Sequence, residues 1–277
     1  MCGAGAANAH PTMRGDTSMA ETHINIRFEF PTHEELIAVA KRNQLDDMAV
    51  MPGDFNPAAR TFDAVDVWMR DSDVETWTIH LLGRLGSVRL SYWLMQYYAD
   101  KGIPDERWYM SPGRSGQSIE YFPDFDEEAH STKFMFDYAA DAFYAQLFAA
   151  WDNLAQAIND MHALGLGIKD VSLWRVVSGL KTVVPSLHAD LAQLTSDPDH
   201  KQALELRRCI QHRHSPSNLS SSFERVTDTV TSIGVGGYTT SAEVLRNAQS
   251  ACGLLGSAIE AARKSVGSDT VGNDSTA

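Results

Sequence analysis

The stretch "FDYAADAFYAQLFAAWDNLAQAINDM", residues 136–161, constrains the fold more than any other part of the chain. Phe136, Ala140, Phe143, Leu147, Trp151, Leu154, Ile158 and Met161 recur in steps of three and four, the spacing of one face of a helix. A helix this long cannot bury its stripe alone, so it requires other long elements beside it. The glycines of "LGLG" mark its end, and the acidic run in "FDEEAHS" suits its start.

A matching partner lies upstream. Val74, Trp77, Leu81, Leu85, Val88, Tyr92 and Met95 form a second stripe over residues 74–98. Gly83, Gly86 and Ser87 lower helix propensity there, but permit close approach of another helix. Between the two stripes, "RWYM" and "SIEYF" flank the turn-rich "SPGRSGQ", which predicts a hairpin near 107–122.

The remaining segments are shorter. "EELIAVAKR" (34–42) predicts a short helix, and residues 52–57 a loop. Asp170 is placed to cap a helix through "VSLWRVVSGLKTVV", broken at Pro185 and resuming to about Leu194. Asp197-Pro198 reads as the N-cap and first-turn pair of the next helix, which Pro216 bounds. Thr240 and Glu243 form a capping-box pattern before a helix to about Lys264. The expected architecture is all-α: an antiparallel helical bundle with a small β-hairpin insertion, occupying residues 23–265 as one domain. Residues 1–22 read as a disordered leader, with Met13 or Met19 as possible starts, and 266–277 as a disordered tail.

Composition removes several function classes. Cys2, Cys209 and Cys252 are scattered, without a C-x-x-C pair, which argues against a disulfide framework or zinc ribbon and suits a cytoplasmic location. No stretch approaches the apolar length of a membrane helix, so no membrane partner is expected. Glu127-x-x-His130 has a di-iron spacing, but the chain holds no second copy of it. Neither a metal nor another cofactor is expected. "GAGAAN" (3–8) follows no strand and "GVGGY" (234–238) lacks a phosphate-loop lysine. Trp77, Trp93 and Trp151 fall at helical spacing and read as core.

The net charge of −13 argues against general nucleic-acid coating, yet residues 198–225 carry +2 and leave −15 to the rest. This basic island contains "LRRCIQHRH", residues 206–214. On an ideal helix Arg207 and His214 lie within about 20°, whereas Arg207 and His212 differ by about 140°. Arg208 and His212, four apart, share a face. One helix end therefore offers fixed cations and imidazoles that titrate near neutrality. The plain alternative is that Lys201, Arg207, Arg208 and Arg213 complement the helix dipole.

An arginine followed after four to six residues by histidine, late in a helical bundle, resembles the HEPN superfamily (higher eukaryotes and prokaryotes nucleotide-binding). The stretch 121–159 is similar to a branch of uncharacterised bacterial HEPN proteins, and together the likeness spans roughly residues 75–265. One departure is that Arg208 stands where Asn, Asp or His commonly follows the motif arginine. The resemblance implies a metal-independent endoribonuclease of toxin or defence type, acting as a homodimer and cleaving RNA by 2′-hydroxyl attack, with a cognate antitoxin as a further partner. It assigns Arg207, His212 and His214 to catalysis, and Arg208, Arg213 and Lys201 to RNA phosphates. Two other readings stay open: a non-catalytic HEPN-type module binding RNA, a nucleotide or a protein, and a structural bundle with no nucleic-acid role.

Overall fold

Pairing of the two long striped helices organises the chain. The computed structural model describes residues 28–43, 45, 48–51, 53–55, 65–213, 215, 219, 223–225, 231–233 and 236–268. The described helices are α1 (His33–Arg42), α2 (Val65–Asp100), α3 (Glu127–Met161), α4 (Leu173–Val183), α5 (Pro185–Ser196), α6 (Pro198–His212) and α7 (Ser241–Ser268). The most extensive contact in the molecule runs between α2 and α3. Both predicted stripes face inward: Leu81, Leu85, Val88 and Met95 of α2, and Phe136, Phe143, Leu147, Trp151, Leu154 and Ile158 of α3, are essentially inaccessible. Trp151 is 1% exposed, as its place in the stripe requires.

The bundle is completed from the C-terminal half. Helix α7 packs on α3, α5 and α6, and α4 and α5 pack on each other. Pro185 separates α4 from α5 by taking the first position of the second helix, where its missing N–H costs nothing. The capping box at α7 forms as predicted: the Thr240 N–H donates to Glu243 Oε2 at 2.9 Å, and the Glu243 N–H to Thr240 Oγ1 at 3.3 Å. The predicted hairpin consists of β1 (Tyr109–Met110) and β2 (Glu120–Tyr121), antiparallel with Tyr109 opposite Tyr121.

Two details differ from the sequence reading. Asp170 does not cap α4: its N–H closes a turn on the Gly167 carbonyl at 2.7 Å, its carboxylate accepts from Arg175 at 2.9 Å, and Ser172 takes the N-cap position. A second short antiparallel pair, β3 (Phe223–Arg225) and β4 (Thr231–Ile233), lies between α6 and α7. The leader 1–22, the chain beyond Ser268, His214 and Pro216 fall outside the described residues. Among the described residues no helix is long and apolar enough to cross a membrane.

Candidate nucleic-acid interface

Helix α6 is set by its first turn. The Asp197 carboxylate accepts from the Asp199 N–H at 2.8 Å, and Pro198 occupies the first helical position. Asn247 of α7 then ties the helix down by donating to the Asp199 carbonyl at 3.0 Å. Asn247 is itself oriented by the buried Tyr144 hydroxyl of α3, which donates to its Oδ1 at 2.9 Å. These contacts fix which face of α6 looks inward.

That face carries His200, Ala203, Leu206 and the half-buried Arg207. The guanidinium carbon of Arg207 sits 5.3 Å from the centre of the Phe148 ring on α3. At that distance the ring's negative face attracts the cation. The Arg207 Nε is buried without a hydrogen-bond partner. No carboxylate oxygen forms an ion pair with Arg207 among the described residues. Asp152, one turn beyond Phe148, feels Arg207 only electrostatically: surrounding protein pushes its pKa up, and the Arg207 charge pulls it partly back.

His200 packs edge-on against Trp151 at 5.2 Å between ring centres, and lies 5.8 Å from Phe148. Burial lowers its pKa, partly countered by Asp197. It lies on the same helix face as Arg207, and both pack against one phenyl ring.

The other cations lie elsewhere on α6. Arg213 binds Glu205 Oε1 at 2.8 Å, and Arg208 approaches Glu205 Oε2 at 3.7 Å. Lys201 is exposed, and His212 is the exposed last residue of the helix. The structure therefore gathers Arg208 and Arg213 around one glutamate, turns Arg207 inward and leaves His212 on a different face. Among the described residues no three His, Cys, Asp or Glu side chains gather to hold a metal ion. Glu127 and His130 are exposed at the start of α3, where His130 packs against Phe125 at 4.9 Å.

A family profile described as Cthe2314-like HEPN matches residues 77–263, from α2 to α7. The chain belongs to the HEPN family. Comparisons with curated proteins and with solved structures gave no match. The whole of α6, including Arg207 and His212, lies inside the HEPN match.

Sequence reasoning did not single out Phe148, Asp152 and His200, which lie around Arg207. One signal was available for His200: it precedes Arg207 by seven residues, the same two-turn step that separates Arg207 from His214. Phe148 and Asp152 carried no such signal, because only the packing of α6 on α3 brings them to Arg207.

Proposed function

We propose that this HEPN protein binds RNA through its phosphodiester backbone, with Arg207 as the anchoring cation and Arg208, Arg213 and Lys201 holding flanking phosphates. The observation that carries the reading is the state of Arg207. A half-buried guanidinium held on an aromatic ring, with no carboxylate bound, has given up part of its hydration without gaining an anion. A phosphate oxygen supplies that anion through charge-assisted hydrogen bonds. Arg208 and Arg213 are half exposed in their Glu205 contacts, and exposed pairs of this kind are worth only about 0–1 kcal/mol, so phosphate competes for them readily.

A second reading, cleavage by 2′-hydroxyl attack, is supported by His212. It ends α6 exposed to solvent, and no side chain among the described residues occupies it. In one subunit His212 is about 140° around the helix from Arg207, so the two meet one phosphate only if the helix end unwinds or a second subunit contributes.

The test of the binding reading is the salt dependence of single-stranded RNA affinity. Each phosphate neutralised contributes about 0.7 to the slope of log affinity against log salt, so three to four contacts predict a slope of roughly −2 to −3. A slope near zero, or no binding at low salt, would remove it.

A further inference from the structure

A groove at one end of the α2–α3 pair is lined by groups that the fold leaves unused. Its two lobes, about 680 and 440 Å³, share Lys101, Glu128 and Thr132 as walls and so form one cleft. The cleft runs between the C-terminal end of α2 and the first turns of α3, with Phe28 and Glu29 on its rim. From Asp126 to Met135 it follows α3 for about 14 Å, the rise of nine residues.

Its charge is one-sided. Glu29, Asp124, Asp126, Glu127 and Glu128 line it against a single cation, Lys101. Three of these carboxylates are engaged: Glu29 by Lys101 at 2.6 Å, Asp124 by Arg107 and Arg114 at 2.6 Å each, and Asp126 by the Ala129 N–H at 2.8 Å. The exposed carboxylates of Glu127 and Glu128 have no ion pair or hydrogen bond among the described residues. Acidic residues at a helix start are common and would not by themselves make a site.

Thr132 supplies the independent sign. It is 7% exposed, yet it lines both lobes. Ser131 beside it spends its hydroxyl on the Glu127 carbonyl at 2.9 Å, whereas the Thr132 hydroxyl makes no hydrogen bond among the described residues. A nearly buried hydroxyl without a partner has lost water and gained nothing, so it favours a ligand that donates to it.

The walls select the kind of cation. The carboxylates are strung along the cleft rather than converging, and among the described residues no three His, Cys, Asp or Glu side chains gather to hold a metal ion. Ile103, Pro104, Ala129 and Met135 supply apolar wall, which suits methylene groups. Ammonium groups joined by short methylene chains match both features. We propose that this cleft binds a linear oligoamine, with Glu127 and Glu128 accepting from its ammonium groups and Thr132 accepting from a further N–H deeper in the cleft. Phe148, which holds Arg207, lies sixteen residues further along α3 than Thr132, about 24 Å away, so the proposal does not rest on the RNA reading.

Titration calorimetry of the full chain with spermidine, a linear triamine, tests it without RNA. Because the chain carries −13, a loss of charge elsewhere must be the control. Glu127→Gln/Glu128→Gln is expected to bind spermidine about tenfold more weakly than wild type. Asp73→Asn/Glu75→Gln, the same charge change near the other end of α2, should stay within about twofold of wild type. Thr132→Val, which keeps shape and charge, should also weaken binding, by about threefold or more, with circular dichroism unchanged. No heat at about 1 mM spermidine would overturn the proposal. So would equal losses in the two charge variants, or magnesium chloride matching spermidine at equal concentration, since either marks a diffuse ion atmosphere.

Discussion

Arg207 rests on Phe148, its guanidinium carbon 5.3 Å from the ring centre, with Nε shut away from both water and hydrogen-bond partners. The contact is attractive, worth about 0.5–1 kcal/mol near a surface. It does not replace the hydration the cation has lost. This arginine therefore keeps hydrogen-bonding capacity that the surrounding fold leaves unused.

Removing the charge while keeping the length should therefore leave the fold intact. For Arg207→Met, stability in urea denaturation is expected within about 1 kcal/mol of wild type, or above it, because thioether–aromatic packing replaces an incompletely satisfied cation. A loss well beyond that range would assign Arg207 a structural role.

A larger loss is expected at Asp105. This buried carboxylate accepts from the Tyr238 hydroxyl at 2.7 Å, the Ser241 N–H at 2.8 Å and the Ser241 hydroxyl at 2.7 Å, all on one oxygen. It joins the turn after α2 to the start of α7. Asp105→Ala leaves three donors unpaired, the two of Ser241 buried and that of Tyr238 partly so, and should lower stability by about 2–4 kcal/mol. An unchanged urea midpoint would show that the contact contributes little.

Asp141 predicts a pH signature. Surrounding protein, and then repulsion from Asp137, raise its pKa from 3.8 to about 6, against the pull of Lys133. The folded state therefore favours the protonated acid. Its contribution is complete below the unfolded value of 3.8 and is lost as pH rises through about 6. Asp141→Asn should match wild type in thermal melts near pH 3.5 and become the more stable protein towards pH 7. A difference independent of pH would contradict this account.

The long helices were legible because α2 and α3 keep strict periodicity through segments without proline, and because Asp197-Pro198 and Thr240/Glu243 carry their capping chemistry locally. Asp170 misled because the turn it joins is closed by the Gly167 carbonyl, and its carboxylate is taken by Arg175. The β3–β4 pair went unread because "FERVTDTVTSI" contains neither glycine nor proline to mark a turn. For α6, the sequence marked the helix and its cap but not its rotation. That rotation depends on Phe148, Trp151 and Asn247, contacts supplied by other helices.

Any cleavage by this HEPN chain should survive EDTA and leave 2′,3′-cyclic phosphate ends, because a histidine can take the proton of a 2′-hydroxyl. His212→Ala should then lower the rate by about 10²–10⁴, the usual loss for a positioned acid–base group. EDTA-sensitive cutting that is indifferent to His212 would remove this histidine from the chemistry.

The measurement that bears most directly on Arg207 is the affinity of wild type and Arg207→Met for one labelled single-stranded RNA, at two salt concentrations, with folding checked in the same samples. The account predicts that the folded variant binds at least about tenfold more weakly, with the salt slope shallower by about 0.7, the share of one lost phosphate contact. Equal affinity and equal slope for the two proteins would show that RNA, if bound at all, is held somewhere other than at Arg207.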